Sequence, residues 1–120
     1  MKFMVLMYAD PADTRAMSSA AREDVARRHE ALHADVPKAM RNGAGLAYPD
    51  ATMTLRLQND RPVAVAAPLT SNKEQLTAYY VIECDNVDEA AAIAGRTLDF
   101  HVTAVEVREI HDHFGMEVAE

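Results

Sequence analysis

The fold of this chain is decided by the stretch TAYYVIECDNVDEAAAIAG, residues 77–95. Its first part alternates, so that Tyr80, Ile82 and Cys84 would share one face of an extended strand. The opposite face would carry Tyr79, Val81 and Glu83. Because aromatic and β-branched residues favour strands, residues 77–84 are predicted to form the strongest strand of the chain.

The second part of the same stretch predicts a helix. Asn86 and Glu89 have the spacing of a capping box, in which each side chain accepts a hydrogen bond from a free backbone N–H. The alanine-rich residues 88–94 have high helix propensity, and Gly95 marks the expected end. We therefore expect a strand that leads directly into a helix.

Four further segments are predicted to be strands, namely residues 2–8, 51–57, 63–65 and 103–110. The first is apolar on both faces, which is typical of a central strand. The second and third flank the turn signal Asn59-Asp60 and should form a hairpin. In the last, Glu106 and Arg108 would share one face.

A first helix is expected to begin at the serine pair 18–19, which is suited to capping. One face of this helix would carry Val25, His29, Leu32, Val36 and Met40. Pro37 interrupts the pattern, so a kink or restart is expected near Asp35. The helix should end at Asn42-Gly43, with Gly43 in the left-handed conformation of a helix cap.

The predicted order is strand, helix, meander of strands, strand, helix, strand, which indicates a single α+β domain over residues 1–110 and a tail over residues 111–120. Two helices separated in this way cover only one face of the sheet. The other face would carry a mixed set, Thr54, Arg56, Tyr79, Val81, Glu106 and Ile110. Such a face is too apolar for water and too polar for a core, so we expect a homodimer that packs sheet to sheet.

Composition excludes several classes of function. The chain of 120 residues has 19 acidic and 12 basic residues, and its net charge of -7 disfavours binding to nucleic acid. The single cysteine, Cys84, excludes an intrachain disulfide and fits a reducing compartment. No segment approaches the roughly 20 apolar residues of a membrane helix. We therefore expect a cytoplasmic protein with neither a membrane nor a nucleic-acid partner.

His29 is the most informative candidate for catalysis. It lies on the apolar face of the first predicted helix, where an imidazole that titrates near neutral pH can transfer a proton. The alternative is a hydrogen-bonded core histidine, and His33 competes for the same assignment. Asp35 and Asp50, which lie near predicted element ends, are the candidates for its acidic partner. The alternatives are that Asp35 supports the helix restart before Pro37 and that Asp50 belongs to the Pro-Asp turn.

Four side chains on the uncovered sheet face are candidates for binding a substrate, namely Arg56, Tyr79, Glu106 and Arg108. Arginine holds carboxylates or phenolates, and tyrosine donates a hydrogen bond. The alternative is an interfacial ion pair that sets the register of the dimer. We therefore expect this face to bind a small organic molecule or to join two subunits.

Two pairs of histidines are candidate metal ligands. His29 and His33 are one helical turn apart, and His111 and His113 would lie on one side of an extended segment. A metal site needs three or four ligands that converge, and nothing in the sequence brings the two pairs together. We predict no metal and no cofactor.

Several segments match a pattern found in one known family. These are KEQLTAYYVIECDNVDEA at residues 73–90, VEVREI at 105–110, MKFMVLMY at 1–8 and ATMTLR at 51–56. Together they resemble the YCII-related superfamily, in its branch of DGPF-domain proteins. The Asp-Gly-Pro-Phe motif that names this branch aligns with AAPL at residues 66–69, where only the proline is retained.

The resemblance implies a ferredoxin-like fold whose sheets pair in a dimeric α+β barrel. It also implies a histidine on the first helix that acts with an aspartate, since such a pair is proposed for the wider superfamily, in which a dehydrochlorinating lyase is known. Most relatives have no assigned reaction, and a shared fold is a weak guide to function.

Two functional hypotheses follow. The first is a small-molecule-binding, cofactor-independent lyase or isomerase that uses His29 as acid or base. The second is a non-catalytic ligand-binding or regulatory dimer that acts with a partner protein.

Overall fold

The computed structural model describes residues 1–116 of the chain. Its strands are β1 (Lys2–Ala9), β2 (Met40–Gly45), β3 (Thr54–Gln58), β4 (Arg61–Val65), β5 (Gln75–Glu83) and β6 (Ala104–Glu109). Its helices are α1 (Pro11–Arg15), α2 (Ser19–Asp35) and α3 (Val87–Arg96). Short 3-10 turns span Pro49–Ala51 and Thr97–Asp99. Each predicted strand and helix matches one of these elements, whereas α1 and β2 are not predicted.

The main sheet contains four strands in the order β2-β5-β1-β6, and every neighbouring pair is antiparallel. The strand β1 is central, as its apolar sequence predicts. Both long helices pack on one face of this sheet, because their buried residues join its inward side chains in one core. The fold is therefore α+β, and the arrangement is compatible with a ferredoxin-like fold.

The core follows from strict alternation in the central strands. Phe3 and Val5 of β1 are fully buried, and in the pairing with β5 Phe3 lies opposite Ile82. Leu32 of α2 and Ala90 of α3 close this layer from the helix side. Fully burying one such aliphatic or aromatic side chain contributes about 1.5–3 kcal/mol, so this layer holds the sheet and the helices together.

The predicted end of the first helix is wrong. The helix α2 ends at Asp35 instead of continuing to residues 42–43, and β2 begins at Met40. Pro37 explains this, since proline lacks a backbone N–H and its ring clashes with the preceding turn. Gly43 consequently lies within β2, directly opposite Tyr80 of β5, and its φ is not positive.

The predicted meander is also wrong, because among the strands of residues 1–116 β3 and β4 pair only with each other, in a separate two-stranded sheet. The early end of α2 frees β2 to pair with β5, and β2 thereby takes the place where a hairpin strand would have joined the sheet. Thr54 and Arg56 are therefore not on the sheet face that carries Tyr79 and Glu106. Alternation of apolar and polar residues predicts that a segment is a strand, but it does not predict with which other strand that segment pairs.

The start of α3 contains the predicted capping box. The Asn86 side chain accepts a hydrogen bond of 2.9 Å from the N–H of Glu89, whose carboxylate accepts one of 2.9 Å from the N–H of Asp85. We expect Asn86→Ala to lower the free energy of unfolding by about 1 kcal/mol, measured by urea denaturation. Asp85→Ala is the control because Asp85 bonds through its backbone. An equal loss in both variants would contradict the role of Asn86.

Part of the predicted tail, residues 117–120, lies outside the described residues. Its described part, residues 111–116, contains no helix or strand. None of the helices within residues 1–116 has the length and apolar content that crossing a bilayer requires.

Candidate functional site

The candidate site is an open cleft of about 790 Å³ between α2 and the β2 side of the main sheet. Apolar side chains form much of its wall, namely Met7, Val25, Met40, Phe100 and Val102. Its polar lining includes His29, His33, Tyr48 and Tyr80. A mostly apolar cleft with a few convergent polar groups is typical of small-molecule sites.

The helix α2 positions both imidazoles. Leu32 anchors the helix in the core, and Val25 packs against the same core from the preceding turns. His29 lies between these two anchors and is half-buried, whereas His33, one turn later, is exposed. The two imidazole rings stack with their centroids 4.8 Å apart. The helix therefore presents a half-buried imidazole and an exposed imidazole to the same cleft.

The strand β5 supplies the partner of His29. Tyr80 is on the inward face of β5 and is only 6% exposed. Its hydroxyl lies 2.5 Å from Nδ1 of His29 and 3.3 Å from Nε2. Phe100 lies on another side of His29, with ring centroids 5.9 Å apart. Packing thus restrains both members of the pair.

Burial sets the protonation states of this pair. It lowers the pKa of His29, and the nearby His33 lowers it further, while Glu30 opposes the shift. Burial also raises the pKa of Tyr80 to about 12. A neutral imidazole therefore faces a protonated phenol at neutral pH, and the pair holds one hydroxyl proton and one ring proton.

We expect the His29 imidazole to titrate in the folded protein with a midpoint below 6.5, measured by NMR. The unfolded chain takes up this proton near pH 6.5, whereas the folded chain takes it up only at a lower pH. The stability that the unprotonated His29 contributes is therefore complete above pH 6.5 and is lost as the pH falls to the midpoint of the folded protein. His33→Gln should raise the pKa of His29 only in part, since burial is the larger cause. A folded midpoint at or above 6.5 would contradict this prediction.

The structure does not bring the predicted acidic partners to His29. Asp35 forms a 2.9 Å ion pair with Arg96 of α3. Asp50 forms a 3.1 Å ion pair with Arg15, whose guanidinium also stacks on the ring of Tyr48. All four of these charged side chains are largely exposed. Both aspartates therefore act in surface ion pairs, and Tyr80 is the hydrogen-bond partner of His29.

Three of the four predicted binding residues lie on the sheet face that the helices leave uncovered. Tyr79 and Glu106 both pair with Leu6 of β1, and Arg108 pairs with Met4, so these side chains share that face. Tyr8 donates a 2.6 Å hydrogen bond to Glu106, and this bond raises the pKa of the Tyr8 phenol. Arg56 is instead on the separate hairpin, where it is exposed.

Tyr80 was the residue that sequence patterns failed to assign to the site. The signal was present, since Tyr80 shares a strand face with Ile82 and His29 lies on the apolar face of the first helix. Both faces must meet in a two-layer fold, which brings a tyrosine and a histidine to one interface. The sequence alone does not indicate that these two residues lie at the same level of the sheet.

A second open cleft of about 760 Å³ lies beyond the end of α2. Its charged groups are mostly paired, as in the 3.6 Å contact between Arg41 and Glu83. Cys84 lines this cleft, and burial raises the pKa of its thiol, which disfavours a reactive thiolate. No group of three or more histidine, cysteine, aspartate or glutamate residues suited to a metal ion occurs within residues 1–116.

Comparison with known proteins gives a family match. The profile of the YCII-related domain family matches residues 1–113. An uncharacterized protein of Rhizobium meliloti (strain 1021) is 33% identical over 96 residues, which are 78% of this chain and 77% of that protein. Because the match is to the YCII-related domain as a whole, assignment to the DGPF branch stays a prediction.

Proposed function

The chain belongs to the YCII-related domain family, and from this premise we propose that it binds a small organic molecule and transfers a proton on it with His29 and Tyr80. The reaction class is a cofactor-independent lyase or isomerase reaction. The observation that supports this most is the contact of 2.5 Å between the Tyr80 hydroxyl and Nδ1 of His29 within an apolar cleft. General acid–base catalysis by a histidine requires this kind of positioned, partly desolvated imidazole.

In this pair His29 acts as the base and Tyr80 acts as the hydrogen-bond donor. When Nδ1 of His29 carries the ring proton and donates it to the Tyr80 oxygen, Nε2 is unprotonated and accepts a proton from the substrate. The Tyr80 hydroxyl then donates to the substrate oxygen on which negative charge develops. A pKa of about 12 keeps this hydroxyl protonated, so it serves as a donor and not as a base.

The substrate consistent with this division has an acidic C–H bond beside a carbonyl group. Removal of that proton by His29 moves the electron pair of the C–H bond toward the carbonyl oxygen, where Tyr80 stabilises the enolate. Expulsion of a leaving group on the next carbon completes an elimination, and return of the proton to another carbon completes an isomerisation. Both outcomes need only the two side chains and the substrate.

Tyr80 takes the place that an aspartate was expected to fill. A carboxylate beside His29 would favour the imidazolium and raise the pKa of His29, whereas a phenol leaves that pKa lowered by burial. With a low pKa the imidazole is unprotonated at neutral pH and is ready to accept a proton. The ion pair between Asp35 and Arg96 serves to join α2 to α3.

A non-catalytic, ligand-binding dimer is the second candidate. It is favoured by the mixed sheet face, where the apolar Met4 and Leu6 lie beside Glu106 and Arg108 without cover from the helices. A second copy would cover this face and complete the dimeric α+β barrel. The reducing cytoplasm remains the expected location, because Cys84 is the single cysteine.

Proton exchange in D₂O separates the two candidates. A panel of small carbonyl compounds, followed by proton NMR, should include at least one whose acidic C–H exchanges faster with the protein than with buffer. The His29 ring resonances should shift with the same compound. Binding without exchange supports the non-catalytic candidate, whereas neither exchange nor a shift at His29 would contradict the assignment of this cleft.

A further inference from the structure

The cleft that contains His29 is lined by basic side chains and not by acidic ones. Among residues 1–116 its lining includes the guanidinium groups of Arg22 and Arg41 and the imidazoles of His29 and His33, but neither an aspartate nor a glutamate. The chain as a whole has 19 acidic and 12 basic residues and a net charge of -7. A locally basic cleft attracts anions even in an acidic protein, because the groups that line a cleft set the potential inside it.

Arg22 lies on the same face of α2 as His29. It precedes His29 by seven positions, which is close to two helical turns, so the two residues are about 10 Å apart along the helix axis. Val25 lies between them and also lines the cleft. The helix therefore presents a cation at one end of the cleft and the imidazole of His29 further along it.

The guanidinium of Arg22 is held by a backbone group and not by a carboxylate. Its Nη2 donates a 2.8 Å hydrogen bond to the carbonyl of Thr14 in α1, and Thr14 also lines the cleft. Within residues 1–116 Arg22 forms no ion pair, whereas Arg27 and Arg28 of the same helix both pair with Asp24. Because a guanidinium has five N–H donors, Arg22 retains donors for a ligand.

The place of Arg22 in α2 adds to the local positive charge. Arg22 is the fourth residue of the helix, within the turn where the helix dipole gives a partial positive charge, and this turn contains no acidic residue. A cation at this end of a helix is unfavourable unless an anion lies nearby. A bound anion would offset both the guanidinium and the helix dipole.

Charge favours a carboxylate over a phosphate as this anion. Arg41 contacts Glu83 at 3.6 Å, so one carboxylate of the chain already offsets its charge. Arg22 is then the one guanidinium of the lining, among residues 1–116, that no carboxylate offsets, and it matches the single charge of a carboxylate ligand. A phosphate group carries nearly two negative charges at neutral pH. A guanidinium also binds a carboxylate through two parallel hydrogen bonds.

We propose that Arg22 binds a carboxylate of the substrate, so that the cleft takes small oxo acids. This rests on the proposed proton transfer by His29 and names the class of compound on which it acts. Since Arg22 and His29 are about 10 Å apart along α2, the carboxylate lies several bonds away from the carbonyl group. The apolar wall of the cleft contacts the carbon chain between the two groups. Arg22 is a binding residue and takes no part in the proton transfer.

Straight-chain oxo acids and their methyl esters test the substrate class with the wild type. The probes run from 4-oxopentanoate to 8-oxononanoate, and each dissociation constant is measured by NMR titration. We expect at least one acid to bind about tenfold or more tightly than its ester, because the ester cannot form the charged hydrogen bonds to Arg22. Equal affinity of every acid and its ester would overturn the proposal, and so would tighter binding of the phosphonate analogue of the best acid.

Arg22→Gln tests the residue, and Arg27→Gln is the matched control, because Arg27 pairs with Asp24 and does not line the cleft. The ratio of ester to acid dissociation constants should fall to about one in Arg22→Gln and persist in Arg27→Gln. For an acid that exchanges a proton, the loss should appear in KM. Arg22→Lys should restore part of the preference, since it keeps the charge without the planar fork. A preference that survives in Arg22→Gln would overturn the assignment of Arg22.

Binding and proton exchange separate this proposal from the proposed function. A preference for acids without any exchange would contradict the catalytic role of His29 and support the carboxylate site. Exchange that is equally fast with acids and esters would overturn the carboxylate site and leave proton transfer by His29 standing. Binding of neither acids nor esters would overturn both. The comparison in the wild type keeps the test decisive if Arg22→Gln does not fold.

Discussion

Gly43→Val is expected to destabilise the protein by about 3 kcal/mol, because no side chain fits at this point of β2. A Cβ atom at Gly43 would lie 2.6 Å from Cδ1 of Tyr80 and 2.9 Å from the backbone oxygen of Tyr79. The Tyr80 ring is buried against the core and cannot move away freely. The loss is measured by urea denaturation, and the melting temperature should fall by about 10 °C or more.

Gly45→Val is the matched control in the same strand. An added Cβ at Gly45 meets no atom within 4 Å, and valine favours strands, so this variant should be as stable as the wild type or slightly more stable. Gly43→Val should also shift the NMR resonances of His29, since the collision displaces the hydroxyl that His29 contacts. Equal stability of the two variants would show that β2 does not approach Tyr80 as closely as described.

His29→Gln is expected to lower turnover by about a hundredfold to ten-thousandfold for any compound whose proton exchange the wild type catalyses. Tyr80→Phe should lower it by about a hundredfold to a thousandfold, because it removes one donor to the developing oxyanion. The double variant should be little worse than His29→Gln alone, since the two side chains act as a unit. The measurement is the initial rate of exchange by NMR.

The pH dependence distinguishes catalysis from a structural role. With neutral His29 as the base, the rate should fall as pH drops through the lowered pKa of His29, and this limb should vanish in His29→Gln. His111→Gln is the control, because His111 is exposed beyond the end of β6. Undiminished turnover in His29→Gln would exclude His29 as the base, whatever the stability of that variant.

The candidate site could be predicted only in part. His29 was identifiable because a histidine on an apolar helix face must meet the core side of the sheet. Asp35 is predicted because it lies near the expected end of an element, yet the direction of its side chain depends on α3, where Arg96 pairs with it. Arg56 was grouped with Tyr79 and Glu106 because all three alternate outward, and alternation does not reveal that β3 leaves the main sheet.

By itself the sequence determined the long strands and helices of this protein and the sides that they bury, but not α1, β2 or the residue at which α2 ends. Alternation in β1 and β5, the capping box at Asn86 and the chain-breaking Pro37 act over a few residues, so their effects can be derived from local physical chemistry. Only the tertiary structure decided which strands are neighbours, that the hairpin β3–β4 is left uncovered, and that Tyr80 meets His29. Those two residues are 51 positions apart, and a contact over that distance depends on the packing of the whole core and on no local preference.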